Sequence, residues 1–450
     1  MSNLIIDKQD VYADLLPLHQ LNPQRYPYLL ESVAQGAQNT RYSILFAFPQ
    51  QQISLTAKTI DAFDFLQAFD NTWSAERHAS SDIPLPFKGG WFLFLGYELT
   101  QQIEHKLNLE LPLDEDLPIA LATRIPAAII MDNEERCCYF IVEEEYKQYV
   151  DALRKDFSQA LRDTPTTPVR LCIENILEDD PQRYLDGVKK IKDYILAGDV
   201  FQVNLSRAWY ATSQGGSDDG SVLYHQLRQA NPAPFSGLLY HEDKYIISSS
   251  PERLVCVHDD YVETRPIAGT RPRGESLEQD QALSTVLRQH PKEIAEHIML
   301  IDLERNDLGR ICQPGTVEVN ELMALESYRH VHHIVSNVRG RLKSSASPGD
   351  VIKATFPGGT ITGCPKVRCM EIINELEQQA RGAYTGAMGY VNHDGSMDLN
   401  ILIRSLSLVN KQITFRAGAG IVADSNPQME LEETRAKARG LIKAIMNQLD

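Results

Sequence analysis

An α+β fold built on large antiparallel sheets is the fold class this sequence predicts, and three observations predict it. Strand-like runs recur along the whole chain, at Tyr42 to Phe48, Gly90 to Leu95, Tyr245 to Ser248, Leu254 to Val257, Tyr384 to Val391, Ile401 to Leu408 and Ile413 to Ala417. Two adjoining runs, Ala127 to Met131 and Cys137 to Val142, flank the charged turn Asp132-Asn133-Glu134-Glu135-Arg136, which is the pattern of a hairpin. Helical patterns lie between the runs, but strand and helix do not alternate as a parallel βαβ sheet requires.

The 450 residues can bury a large core, and 43% hydrophobic with 23% charged residues is an ordinary globular balance. A formal net charge of −17 argues against nucleic acid and anionic lipid as partners, while leaving room for a local basic pocket. No apolar run reaches the roughly 18 to 20 residues that a membrane span needs. The opening MSNLIIDKQD lacks the basic start and apolar centre of a signal peptide. Seven cysteines without a Cys-x-x-Cys do not suggest a disulfide framework, so a cytoplasmic location is expected.

Taken in order, residues 1 to about 165 read as one unit of short strands and polar turns, closed by a helix over Glu143 to Leu161. Thr164-Pro165-Thr166-Thr167-Pro168 is the linker candidate, dense in residues that interrupt regular structure. The second unit opens near Tyr184. Leu185, Val188, Ile191, Ile195 and Leu196 keep helical spacing there, and Gly198 stands where a C-terminal cap belongs. Phe201 to Trp209 follows as a strand. No internal repeat or low-complexity tract is visible.

Chemistry concentrates in the second unit. In FPGGTITGCPKVRCMEIINELE, Phe356 to Glu377, the glycines Gly358, Gly359 and Gly363 precede Pro365 and a helical pattern of Val367, Met370, Ile372, Ile373 and Leu376. Pro365 suits the first turn of a helix. Backbone amides at such a helix start could cradle an anion, although a Gly-rich turn before an amphipathic helix has the same spacing. It is not a Walker A loop, because Gly363 is followed by Cys364 and Pro365, with Lys366 displaced.

Two helical stretches each carry a carboxylate pair three residues apart. Glu293 and Glu296 lie in PKEIAEHIMLIDLERND; Glu430 and Glu433 lie in MELEETRAKARG, with Lys437 four residues beyond Glu433. Such pairs suit Mg²⁺, a hard cation with oxygen ligands, and equally suit a solvated helix face. Glu252, in Ser250-Pro251-Glu252-Arg253, stands at a strand end. There it could be a general acid if burial raised its pKa, or simply the partner of Arg253. The run His-Val-His-His at 330–333 lacks the further ligands of a zinc site and reads as one core and two surface histidines. Arg404, inside an apolar run, needs an anionic partner, either a protein carboxylate or a ligand.

Together these stretches are far more specific than any one of them. In order, AGDVFQVNLSR, SSPERL, TRPIAGTRPRG, EHIMLIDLERNDLGRI, VHHIVSNVRG, FPGGTITGCPKVRCMEIINELE, RGAYTGAMGY, MDLNILIRSL, AGAGIVADS and EETRAKA resemble the chorismate-utilising enzymes. That family includes anthranilate synthase component I, aminodeoxychorismate synthase component I, and the isochorismate and salicylate synthases. The resemblance is strong from about Tyr184 onward; LLESV and RYSILFAFP resemble the family's N-terminal segment. It implies an α+β fold with two large packed antiparallel sheets flanked by helices. It also divides the chain into an N-terminal subdomain, 1–165, and a chorismate-binding catalytic domain, 182–450.

The resemblance further implies residue roles. Glu296 and Glu433 match the primary Mg²⁺ ligands, with Glu293 and Glu430 as outer partners, the metal holding the ring carboxylate of chorismate. Tyr384, Arg404, Gly420 and Lys437 match positions that hold the enolpyruvyl carboxylate, Thr360 and Gly363 those beside the ring carboxylate, and Gly418 a further substrate-binding position. Glu252 matches the general acid that protonates the departing C4 hydroxyl, His333 the family's active-site histidine, and Ala268 and Thr270 fall in the catalytic PIAGT stretch.

Gln202 stands where isochorismate and salicylate synthases place a lysine that activates water; an uncharged Gln cannot be that base, so ammonia is the expected nucleophile. Asn204, NPAPFSGLL at 231–239, VHHIVS at 331–336, TITG at 360–363 and GSMDLNILIRSL at 395–406 resemble the aminodeoxychorismate synthases, which serve 4-aminobenzoate and folate synthesis. Ala268, in place of the lysine of a PIKGT motif, resembles the anthranilate synthases of tryptophan synthesis instead, and its methyl cannot be a nucleophile. With no glutaminase segment visible, ammonia is expected from a separate glutamine amidotransferase subunit, component II. Leu30, Glu31 and Ser32 match a segment that often holds tryptophan in the family. An inactive ligand-binding regulatory subunit is the alternative of another class; intact Glu252, Glu296, His333, Glu433 and Lys437 argue against it.

Overall fold

The computed structural model describes the whole chain except residues 1–3, 34–40, 79–82, 114–116, 163–170, 172, 216–218, 275, 328–330 and 448–450. The linker candidate at 164–168 lies outside the described residues. Two large sheets face each other, one of 12 strands and one of 10, and every pairing among the described strands is antiparallel. The fold is therefore the α+β arrangement expected.

Both sheets run through both halves of the sequence. In the first, Tyr28–Glu31 pairs with Phe235–His241; in the second, Gly90–Leu95 pairs with Ala387–Asn392. The inner strands are apolar on both faces, as two-sided burial demands. Ile44 and Phe46 enter the core between the sheets, where Tyr28 stacks on Phe92 at 4.0 Å, while Leu45 and Ala47 point to the outer layer. That outer layer is closed over the first sheet by Tyr149–Arg162, Asp219–Ala230 and Pro427–Ile445, and over the second by Phe65–Glu76, Pro291–Ile311 and Pro348–Thr355. Among the described residues no helix is long and apolar enough to cross a membrane.

The hairpin Ala127–Asp132 with Cys137–Glu143 forms as expected, and Gly198 ends the helix Pro181–Ala197 with φ of 84°. Three elements begin several residues later than expected. The helix expected from Glu143 begins only at Tyr149, because the Glu143 carboxylate is held in the strand by Arg124 at 2.8 Å and His393 at 3.0 Å. The strand expected from Tyr384 begins at Ala387, after Thr385 turns through a φ of 63°. The strand expected from Ile401 begins at Ser405, so Arg404 lies in a turn with φ of 54° rather than inside a strand.

Candidate active site

The site forms where the chain changes sheets. Lys244–Ser250 belongs to the first sheet and Arg253–His258 to the second, so Pro251 and Glu252 form a crossover. Ile401–Arg404 crosses back, from Met397–Asn400 to Ser405–Val409. The crossovers lie side by side: the Ile401 amide donates to the Glu252 carbonyl at 3.0 Å, and the Ser249 amide to the Arg404 carbonyl at 3.1 Å.

A cavity of about 620 Å³ opens there, between the helices Pro291–Ile311 and Pro427–Ile445. It gathers Gln202, Glu252, Ala268, His333, Thr360, Tyr384, Arg404, Gly418, Gly420 and Lys437, together with Glu293, Glu296, Glu430 and Glu433. Residues more than 200 positions apart thus meet. A larger cavity of about 770 Å³ elsewhere holds none of these residues.

One expected member is not brought in. Gly363 is absent from the lining, and it is not part of a helix-start anion cradle. It pairs as a strand with Gln202–Ser213, at φ of 131°, and a Cβ there would fall 2.1 Å from the Gln202 carbonyl oxygen. Close backbone approach is thus what its glycine serves. Pro365 caps the helix Lys366–Glu377 from outside its first turn, and the cavity meets Thr360 and Ile361 of the preceding 3₁₀ turn instead. The side chain of Thr270 lies outside the described residues.

Glu252 is buried, and burial pushes its carboxyl up to about 8, so it is protonated at neutral pH. The buried Glu304 carboxyl adds like charge, and is itself raised to about 7 by its own burial. Sequence reasoning missed Glu304, although it lies eight residues beyond Glu296 on one helix, a little over two turns and hence near the same face. Arg253 does not pair with Glu252. Its guanidinium forks onto Asp398 at 2.8 Å, which leaves Glu252 to the cavity.

Burial holds the Arg404 guanidinium below its usual range, and no carboxylate among the described residues forms an ion pair with it. It donates to the Lys437 carbonyl. Lys437 itself binds Glu433 at 2.8 Å and the Gly418 carbonyl at 3.0 Å. Burial pushes the Tyr384 hydroxyl up to about 12 and holds His333 below its usual range, so the imidazole is neutral at pH 7. His332, not His333, is the core histidine, bonded to Asp280 at 2.9 Å and Ser327 at 2.8 Å.

On the cavity lining, Oε1 of Gln202 and Oδ1 of Asn204 are buried without a hydrogen bond among the described residues, and the Thr360 hydroxyl lies against the Glu252 carboxyl. The floor beneath the two amides is glycine. A Cβ on Gly420 would come within 2.5 Å of the Gln202 amide nitrogen, and one on Gly418 within 2.7 Å of the Asn204 amide oxygen. Buried acceptors of this kind call for a ligand donor.

Glu293 pairs with Arg271 at 3.2 Å and Glu433 with Lys437 at 2.8 Å. Among the described residues no three His, Cys, Asp or Glu side chains already converge on one point. The donor chemistry nonetheless fits Mg²⁺, which takes one or two carboxylates and completes its shell from water and substrate rather than from a closed protein cage.

A second cavity, of about 540 Å³, is lined by Leu30, Glu31, Ser32, Pro234, Arg253 and Asp398, among others. Glu31 is half-buried there and accepts from the Tyr224 hydroxyl at 2.6 Å and from Arg228 at 3.1 Å, and Ser32 donates to the Pro234 carbonyl at 2.8 Å.

The family profile described as chorismate binding enzyme matches residues 26–443. The chain belongs to this family, in the class that holds the component I proteins of anthranilate and aminodeoxychorismate synthases. Among curated relatives it is 40% identical over 408 residues to the anthranilate synthase component I-like protein of Synechocystis, covering 90% of this chain and 83% of that protein. It is also 40% identical over 391 residues to aminodeoxychorismate synthase component 1 of Bacillus subtilis, covering 85% and 82%. The crystal structure of anthranilate synthase component I from Streptococcus pneumoniae superposes with a TM-score of 0.77 at 33% identity, covering 90% of this chain and 93% of that one.

Proposed function

We propose that this chain is component I of an aminodeoxychorismate synthase: it converts chorismate and ammonia to 4-amino-4-deoxychorismate and water, with Mg²⁺ bound. The observation that carries the reading is Arg404, a half-buried cation that forms no ion pair with a carboxylate among the described residues, in one cavity with the protonated acid Glu252. A dianion with a hydroxyl leaving group uses both. Arg404 and Tyr384 hold one carboxylate, Arg404 by charge-assisted hydrogen bonds. Glu252 gives its proton to the C4 hydroxyl as the C–O bond breaks, so water leaves instead of hydroxide. Ammonia supplies the new C–N bond, and one proton of the resulting ammonium is lost, balancing the sum.

Glu296 and Glu433 are the side chains proposed to hold Mg²⁺, with Glu293 and Glu430 beside them; when bound, the ion neutralises and orients the ring carboxylate. Gln202 and Asn204 offer amide oxygens to N–H or O–H donors and cannot deprotonate water, which favours amination over hydration. In this reading ammonia comes from a glutamine amidotransferase partner. The second cavity, with Glu31 and Ser32, is the place proposed for tryptophan.

Anthranilate synthase is the second reading, favoured by Ala268 on the cavity wall and by relatives of that name. Asn204, Pro234-Phe235, His332 and Ile361-Thr362 weigh toward aminodeoxychorismate because they are several separate positions. Incubation of the protein with chorismate, ammonium and Mg²⁺ decides between them. The expected result is 4-aminobenzoate only after a lyase is added; fluorescent anthranilate and pyruvate without lyase would overturn the assignment.

A further inference from the structure

Arg381 touches the cavity from behind through three separate stretches of chain. Its side chain is 1% exposed. The guanidinium donates to the Asn204 carbonyl at 2.8 Å, the Ile361 carbonyl at 3.2 Å and the Thr385 hydroxyl at 3.3 Å. Its own carbonyl accepts from the Tyr384 amide at 3.1 Å, and its plane lies 5.5 Å from the Tyr384 ring centre. Asn204, Ile361 and Tyr384 all line the cavity, but they come from a sheet strand, a 3₁₀ turn and the turn before another strand.

Arg381 is itself held. Glu377 accepts from it at 2.6 and 3.0 Å, from Arg416 at 2.8 Å, and from the Ser206 amide and hydroxyl at 2.8 Å each. On the other side, Glu98 accepts from the Arg381 amide at 2.6 Å. A buried Arg–Glu–Arg set is weak evidence for stability, since apolar side chains of the same volume often do as well. A lysine would also neutralise Glu377. Arg381 makes five such bonds, to both Glu377 oxygens, two main-chain carbonyls and the Thr385 hydroxyl, which matches the five donors of a guanidinium fork and exceeds the three of a lysine.

We infer that Arg381 is a positioning residue: locked by Glu377, it fixes the walls that carry Asn204, Ile361 and Tyr384 at their mutual distances. The inference rests on the proposed use of chorismate only through the assay. Misplacing a reacting group by about 1 Å costs on the order of a hundredfold in rate.

Two charge-conserving variants test it. Arg381→Lys keeps the cation and loses the fork; Glu377→Asp keeps the anion and loses its reach. Chorismate consumption with ammonium and Mg²⁺ is followed whatever the product, together with amide hydrogen exchange. The expected result is a fall in kcat on the order of a hundredfold for Arg381→Lys, and tenfold or more for Glu377→Asp. Exchange should quicken in peptides spanning 202–206 and 358–364 but not in the distant hairpin 127–143. Wild-type kcat and KM in either folded variant would overturn the inference, as would exchange that quickens equally everywhere. If the wild-type protein consumes no chorismate, the proposed function has failed, and the exchange comparison alone decides the positioning role.

Discussion

Glu252 and Arg253 are consecutive and face different cavities: the Glu252 carboxyl lines the 620 Å³ cavity, while Arg253 reaches Asp398 at 2.8 Å on the wall of the 540 Å³ one. Two residues before Glu252, the chain is still in the first sheet. The change of sheet separates the two side chains and spares Glu252 a neutralising partner.

That separation gives the first prediction. Glu252 acts in its protonated form, which is present below about pH 8 and lost above it. At constant free ammonia, kcat should therefore fall as pH rises through about 8. Glu252→Gln should lose on the order of a hundredfold in kcat and abolish that limb, with chorismate KM little changed. Glu304→Gln removes a like charge and should move the limb to lower pH. A rise in KM with unchanged kcat for Glu252→Gln would make it a binding residue instead.

Arg404 gives the second. Its replacement by Gln keeps hydrogen bonding and removes the charge. Breaking a desolvated charge contact to a carboxylate costs about 2–5 kcal/mol, so chorismate affinity should fall on the order of a hundredfold. Isothermal titration with chorismate in the absence of ammonia measures this directly. Unchanged affinity would show that the cation serves another group.

The carboxylate pairs give the third. Glu296→Gln and Glu433→Gln should each lower Mg²⁺-dependent turnover roughly a thousandfold, with circular dichroism unchanged. Near-normal turnover of either variant at low Mg²⁺ would remove it from the ligand set.

Ala268 gives the fourth. It is buried on the cavity wall, and nothing at this position can add to the ring. Ala268→Lys should place an amine against bound chorismate and trap a covalent adduct, seen by mass spectrometry as an increment on the peptide containing residue 268. An increment would show that residue 268 faces the ring, and the product assay separates the two readings.

Local features of the fold were legible where short-range chemistry sets them. Gly198 capped its helix, and the hairpin after Asp132 followed from turn residues between two apolar runs. The carboxylates of both helices line one cavity, a placement the family resemblance implied and their spacing left open. What could not be read was set by distant partners. Glu143 stayed in its strand because of His393, 250 positions away. Arg253 chose Asp398, 145 positions away, over its neighbour. Gly363 was spent on strand pairing with Val203, not on an anion. The turn at Arg404 arises because the chain must change sheets there, which no periodicity records.

The interleaved sheets constrain how the gene could ever be divided. Cutting the protein near residue 165 would strip Tyr28–Glu31 from Phe235–His241 and Gly90–Leu95 from Ala387–Asn392, splitting both sheets in their middle and leaving a raw edge on each piece of each sheet. Each fragment would expose the strand edges that the other covers. The two must be inherited together, or be made as separate pieces that find each other and zip along both edges at once.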